Sequence, residues 1–494
     1  MEENSVNTVR VRFAPSPTGN LHLGGVRTAL FNYIFALKYR GKFILRIDDT
    51  DRARSKKEYE DVIKDDLMWF EIKWDEFYRQ SERTSVYEKY LNVLKENDLV
   101  YECFCTEEEI LKSKEIAIKS KKPYIYNGRC ANLSSGEKEK LRFSLKERGL
   151  YPSIRLNIAQ ALRMDANFNA IEFNDAVHGH LSFNPKLIGD FILKTEDNRF
   201  AYNFASIIDD YDLGITHVIR GEDHISNTPK QILILNALGK EPPIFAHISL
   251  LYGKDGRIMS KRDAASNIKY YKEEGYLPEA VLNYLAVTGN TFTLFEYKNG
   301  KKEIFEKEIF SNILEMADLL DIKKAKGSSA IFSEDKLRHI NEKQLTLMPA
   351  EQLIKVLTEK FQAASLLTKL KEEYGEGFSL EIIDFIKNEF KTVKEILKEL
   401  EIFFDDFKIN LSGMKYDDGL RKVFLESFQS MNDFNENSIK NIVKETALKN
   451  GKTAKECYET LRLFLTGKLD GPSILKIIRF LGKDRVVKRL HNYV

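Results

Sequence analysis

The chain reads as an α/β protein that becomes all-helical in its C-terminal part. Three observations point there: a strand–helix–strand unit at the N-terminus, a second α/β stretch near residue 215, and helical apolar spacing from about Ile331 onward.

Val9-Arg10-Val11-Arg12-Phe13 alternates as a strand does, and Val26, Leu30, Tyr33 and Leu37 then mark one face of a helix that stops at Gly41. Phe43-Ile44-Leu45-Arg46-Ile47 is the next strand, with the acidic run Asp48-Asp49-Thr50-Asp51 at its C-terminal end. Strand, helix and strand with a turn signal at each junction predict a right-handed βαβ unit, whose ligand sits at the C-terminal ends of the strands. From Cys103 to Arg199 the pattern is mixed and weaker, which predicts an inserted domain. Its lysines from Lys112 to Lys122 read equally well as a solvated helix face or a nucleic-acid surface. Ile215-Thr216-His217-Val218-Ile219-Arg220 restores the α/β pattern, and a helix follows over Pro229 to Leu238. Beyond Ile331 come apolar sets such as Ile382-Ile383-Phe385-Ile386 and Ile474-Ile477-Ile478-Leu481.

Composition narrows the function classes. At 494 residues, 43% hydrophobic and 31% charged, the chain has the make-up of a soluble globular protein of several domains. It has no apolar run long enough to span a bilayer, and its polar, acidic start, Met1-Glu2-Glu3-Asn4-Ser5, is unlike a secretory signal. Four cysteines argue against a disulfide scaffold and for a reducing compartment, so the expected location is cytoplasmic. The net charge of +2 decides nothing about nucleic acid, because a binder needs only a local basic patch.

Two segments carry chemistry. Arg12-Phe13-Ala14-Pro15-Ser16-Pro17-Thr18-Gly19-Asn20-Leu21-His22-Leu23-Gly24-Gly25 leaves a strand, turns through Pro and Gly, and opens a helix. A helix N-terminus suits a phosphate, Gly24 and Gly25 remove side chains where a nucleotide approaches, and His22 can donate to a phosphoryl oxygen. Gly253-Lys254-Asp255-Gly256 then leads into Ile258-Met259-Ser260-Lys261-Arg262, where Lys261 can close over a triphosphate. Together they predict an ATP site without a Walker-type loop, built from Pro15, Thr18, Gly19, His22, Gly24, Gly25, Met259, Ser260, Lys261 and Arg262, with His22 and Lys261 in the catalytic roles.

These segments resemble the HIGH and KMSKS signatures of class I aminoacyl-tRNA synthetases, and the rest of the chain is similar to the bacterial glutamyl-tRNA synthetases. The similarity takes in Arg46-Ile47-Asp48-Asp49-Thr50-Asp51-Arg52, Tyr202-Asn203-Phe204, His217 to His224, Gly275 to Glu279 and Leu481 to Val486. It implies a Rossmann-like catalytic domain in two halves (1–102 and 200–250) and an acceptor-end-binding insertion (103–199). A KMSKS and stem-contact region (251–330) and a helical anticodon-binding region (331–494) would follow. It also implies ATP and Mg²⁺, L-glutamate and tRNA-Glu as partners, a monomer, and transfer of glutamate to the terminal adenosine through an adenylate.

Substrate chemistry agrees with that resemblance. Glutamate offers two carboxylates and one ammonium, and Arg12 and Arg220 end predicted strands where a guanidinium can hold a carboxylate. By resemblance Arg12, Ala14, Ser16, Tyr202 and Arg220 are the glutamate positions, with Asp48 as the ammonium partner. The family usually has Glu at that place, so Asp48 falls short by about 1.5 Å of reach. Ile258 likewise replaces the leading Lys of the second signature, leaving Lys261 more of the phosphate charge.

Cys103-Phe104-Cys105 and Cys130 can share a metal, and zinc is expected. A His that completes such a site in several relatives is Asn132 here, and resemblance to glutamyl-queuosine synthetases nominates Tyr126 as the fourth ligand. Cys457, alone in a helical region, reads as packing. The basic stretches Lys483-Asp484-Arg485 and Lys488-Arg489 are expected to face the anticodon loop. The alternatives are a glutaminyl-tRNA synthetase, opposed by the helical C-terminal region, a glutamyl-queuosine synthetase, opposed by length, and an inactive tRNA-binding relative, opposed by intact His22 and Lys261.

Overall fold

The computed structural model describes residues 8–163, 170–259, 267–298, 301–325 and 330–491. It divides into two compact units, residues 1–270 with 281–334, and residues 271–280 with 335–494.

The first unit opens with β1 (Arg10–Phe13), α1 (Leu23–Lys38), β2 (Lys42–Ile47), α2 (Lys57–Trp69) and β3 (Glu76–Arg79). The three strands are parallel, with Arg12 opposite Ile44 and Ile44 opposite Glu76. The return from α1 is tight, because a Cβ on Gly41 would meet the Val9 carbonyl oxygen at 2.2 Å. Glycine is therefore required where the backbones touch.

Next come α3 (Thr84–Glu96), β4 (Val100–Cys103), α4 (Glu107–Lys119), α5 (Ser135–Glu147), β5 (Ser153–Leu156), α6 (Ile158–Arg163), β6 (Ile171–Asp175), β7 (Gly179–Phe183) and β8 (Ile192–Lys194). β4, β5 and β8 form an antiparallel sheet, and β6 and β7 a hairpin. The hairpin turns back to the parallel strands, where the Ala176 N–H donates to the Phe245 carbonyl at 2.8 Å. Both ends of α4 fit its sequence, with a Thr106–Glu109 capping box at the start, yet no residue of the helix is buried.

The α/β pattern then resumes with α7 (Tyr202–Asp212), β9 (His217–Gly221), α8 (Thr228–Ala237) and β10 (Ile244–Ile248). β9 and β10 are parallel, with Arg220 opposite His247. β9 lies beside β1, where the Thr216 N–H donates to the Arg10 carbonyl at 2.9 Å. Asn32 of α1 donates to the Ile219 carbonyl, also at 2.9 Å. The order is thus β3-β2-β1-β9-β10, and the chain changes direction between β1 and β9, where a doubly wound sheet opens a crevice. Arg27 of α1, fully buried, holds the carbonyls of Ser249, Leu285 and Thr288 and so ties the helix to the segments beyond β10.

Among the described residues the regular elements of the second unit are helices, from the one that begins at Glu334 to Ile474–His491. Its core includes Leu337, Phe403, Phe424, Leu461, Phe464 and Ile477, all shielded from solvent. Cys457 is buried among them, as packing requires. The basic stretches near the C-terminus have partners within the unit. Lys483 donates to the Met431 carbonyl, Arg485 pairs with Asp405 and Glu373, and Arg489 donates to the Leu465 and Phe404 carbonyls. Those three cations close the helical unit, while Lys488 is exposed. Among the described residues no helix is long and apolar enough to cross a membrane.

Candidate active site

A cavity of about 320 Å³ opens at the C-terminal ends of β1 and β9. Every candidate for ATP or glutamate among the described residues lines it: Arg12, Ala14, Pro15, Ser16, Thr18, Gly19, His22, Gly24, Gly25, Asp48, Tyr202, Arg220 and Met259. Ser260, Lys261 and Arg262 lie outside the described residues. Ile258 is half exposed on the rim, bridged to Tyr252.

His22 is the N-cap of α1. Its backbone is extended, and its Nδ1 accepts the Gly25 N–H at 3.2 Å. A neutral imidazole that accepts at Nδ1 carries its proton on Nε2. The cap therefore fixes His22 as a donor beside the positive end of a helix. A Cβ on Gly24 would lie 3.1 Å from the ring atoms Nδ1 and Cε1 of His22. Gly24 thus gives room to the histidine itself, beyond the room for nucleotide that the sequence suggested.

Beneath the cavity lies a buried charge network. Arg46, wholly buried, donates to both carboxylate oxygens of Asp48 at 2.7 and 3.2 Å and to Asp210 at 2.7 Å. Asp210 also accepts from Arg12 Nε and Nη2 at 3.0 and 3.3 Å, bridging the two arginines. Asp209 takes Arg83, Gln80 and Tyr87. Burial opposes the charge on Arg46, but Asp48, Asp210 and Asp209 outweigh it and hold the guanidinium well above its ordinary range. Asp48 shares that one cation with two other carboxylates, so burial lifts it to about 6.

Arg220 is placed differently. Its Nε donates to His247 Nε2 at 3.1 Å, and its Nη2 donates to Thr228 Oγ1 at 2.7 Å and Gln231 Oε1 at 2.9 Å. All three partners are neutral, and among the described residues the buried Nη1 has no partner at hydrogen-bond geometry, Tyr202 lying nearest as a neutral hydroxyl. Burial lowers the guanidinium pKa, while the nearby Tyr202 favours its charge. A buried cation with a spare donor beside a cavity suits an incoming anion. Tyr202 opens α7 and reaches His224 Nδ1 at 3.4 Å; burial pushes His224 down to about 4. His224 is therefore a neutral wall of the cavity near pH 7.

A second cluster sits on β4 and the segments around α4. The sulfurs of Cys103, Cys105 and Cys130 lie within 4.8 Å of one another, and Cys105 and Cys130 are 3.7 Å apart. The Tyr126 hydroxyl is 3.4 Å from Cys103 Sγ and 3.2 Å from Cys105 Sγ. Two thiolates at tetrahedral angles on a zinc ion stand about 3.8 Å apart, so the spacing fits an S₃O donor set. Hydrogen bonds from Cys105, Tyr126 and Arg155 outweigh burial and draw the Cys103 thiol below its usual range, while the same Cys103–Cys105 contact pushes the Cys105 thiol up, so one proton is shared between the two sulfurs.

Sequence reading passed over four contributors. Asp209 and Asp210 follow Ile207-Ile208 within a helix, and two adjacent acids inside an apolar run are the signal that marks them. Asp175 and His247 gave no such sign, because one acid ends a hairpin strand and one histidine interrupts an apolar strand.

Comparison with known proteins follows the same lines as the geometry. Residues 8–338 match the family of class I tRNA synthetases (E and Q), catalytic domain, and residues 350–494 match an anticodon binding domain family. The chain is 37% identical to the glutamate–tRNA ligase of Bacillus licheniformis over 99% of both chains. It is 38% identical to that of Aquifex aeolicus over 98% of both. A solved glutamate tRNA ligase of Elizabethkingia meningosepticum, in complex with its amino acid, aligns over 98% of both chains with a TM-score of 0.77 and 31% identity.

Proposed function

The chain belongs to the class I tRNA synthetases of the E and Q group, and from that premise we propose that its cavity activates L-glutamate with ATP and passes it to tRNA-Glu. It is a glutamate–tRNA ligase. The observation that carries the assignment of the cavity is Arg220, a buried guanidinium with only neutral partners and an unused Nη1.

Glutamate binds with a carboxylate on Arg220, with Arg12 and Tyr202 alongside and its ammonium toward Asp48. Arg12 is already balanced by Asp210, so Arg220 offers the stronger charge. ATP enters with Mg²⁺ over Gly24 and Gly25. The α-carboxylate oxygen of glutamate attacks the α-phosphorus, the bond to the pyrophosphate oxygen breaks, and glutamyl-adenylate forms. A hydroxyl of the terminal adenosine of tRNA then attacks the adenylate carbonyl, releasing AMP and forming the ester. No side chain is a covalent nucleophile. His22 Nε2–H, the first turn of α1 and Lys261 stabilise the charge that grows on the phosphates, which is catalysis by positioning and electrostatics.

Residues 103–199 handle the acceptor end of tRNA, and 331–494 the anticodon. Cys103, Cys105, Cys130 and Tyr126 would hold zinc, which would fasten the start of the insertion. The enzyme is monomeric and cytoplasmic on this reading. ATP–pyrophosphate exchange with glutamate or glutamine, with and without tRNA, tests the proposal: exchange driven by glutamate is expected, and exchange driven only by glutamine would overturn it.

A further inference from the structure

Arg220 is one end of a buried relay that glutamate binding does not by itself require. Asp175, at the end of β6, accepts His247 Nδ1 at 2.6 Å and also the N–H groups of Val177 and His178, each at 2.9 Å. Both side chains of the Asp175–His247 pair are wholly buried. Burial raises the Asp175 carboxyl, but the hydrogen bonds from His247 and the two backbone N–H groups outweigh it and hold it ionised. An ionised carboxylate only accepts, so His247 Nδ1 is the donor. Burial outweighs the hydrogen bond to Asp175 and, helped by the charge of Arg220, lowers the His247 pKa, which favours a neutral ring. Its Nε2 therefore presents a lone pair, which receives the Nε–H of Arg220 at 3.1 Å and faces the Thr228 hydroxyl at 3.1 Å.

The guanidinium is thereby held along one edge. Nε goes to His247 and Nη2 to Thr228 and Gln231, which leaves Nη1 as the buried donor without a partner. We infer that Asp175 and His247 are positioning residues: Asp175 fixes the imidazole tautomer, and His247 fixes the rotation of Arg220 so that Nη1 is the group offered to the substrate carboxylate. The same logic orients a catalytic imidazole through a buried carboxylate. Here the imidazole passes the orientation on to an arginine and exchanges no proton with substrate. This inference rests on Arg220 as a glutamate contact.

Replacement at His247 separates orientation from packing. In His247→Asn the amide takes the place of Nδ1 toward Asp175 and leaves Arg220 Nε without an acceptor. In His247→Gln the amide oxygen falls near Nε2 and restores one. In ATP–pyrophosphate exchange with tRNA present, His247→Asn is expected to raise the KM for glutamate by about tenfold or more, with kcat and the KM for ATP nearly unchanged. His247→Gln is expected to stay within about threefold of the parent. Asp175→Asn places an amide N–H against Nδ1, moves the ring proton to Nε2 and is expected to reproduce the rise. A glutamate KM that His247→Asn leaves unmoved, while Arg220→Gln raises it, overturns the relay alone. Equal losses of kcat in both His247 variants at constant KM also overturn it, as a packing role. If Arg220→Gln leaves the glutamate KM unmoved, the underlying reading of Arg220 fails as well.

Discussion

Arg46, near the end of β2, grips both carboxylate oxygens of Asp48, just beyond the strand, at 2.7 and 3.2 Å. The acid expected to meet the substrate ammonium is thus already seated on a buried cation. Burial lifts that carboxyl to about 6.

That value sets a pH dependence. Only the ionised carboxylate attracts an ammonium, and a raised pKa means Asp48 gains its proton earlier as pH falls than an exposed Asp does. The KM for glutamate should climb as pH drops through about 6, measured by exchange assays between pH 5 and 8. Asp48→Asn should give a high KM with that inflection gone. Folding runs the other way: the folded state holds this proton more tightly than the unfolded one, so this group's contribution to stability declines as pH rises from the ordinary Asp range through about 6.

His22 has separable roles as cap and as donor. His22→Asn keeps a side-chain acceptor for the Gly25 N–H and loses the Nε2 donor. The expected result is a kcat lower by about 10²–10³, little change in glutamate KM and a melting temperature close to the parent. His22→Ala should lose the same activity and in addition about 1 kcal/mol of stability.

The network below the cavity is expected to be unforgiving of half-removal. Arg46→Met strands Asp48 in the interior, leaves Asp210 with Arg12 as its cation, and should destabilise by about 3–5 kcal/mol in denaturant titration. Lys488→Ala, at an exposed position of the C-terminal helix, should fall within about 0.5 kcal/mol of the parent.

The thiol cluster makes a direct prediction about metal content. The purified protein should carry about one zinc per chain by elemental analysis. Cys130→Ser should lower that content and the melting temperature together, and a chelator should do the same to the parent. Tyr126→Phe removes only the oxygen donor, so it should weaken retention of the metal against chelator less than Cys130→Ser does.

Much of this architecture was legible in the sequence, for reasons particular residues make plain. The βαβ start was readable because strand alternation, the Gly41 stop and the acidic run after Ile47 are all local signals. Half of the cavity lining was readable because two contiguous motifs supply it. What could not be read is long-range pairing. Asp210 reaches Arg12 and Arg46 from more than 160 positions away, and Asp175 reaches His247 across 72. No spacing rule joins such residues. The partners of the basic C-terminal stretches were hidden for the same reason: Arg485 and Arg489 find acids and carbonyls that lie far off in the chain.

The most direct measurement is charging of tRNA-Glu with labelled glutamate and ATP, set beside the same assay with labelled glutamine. Esterification of glutamate, with one AMP and one pyrophosphate released for each ester, is the expected result. Charging by glutamine alone, or no ester from a folded protein that binds tRNA, would contradict a glutamate-activating site at Arg220.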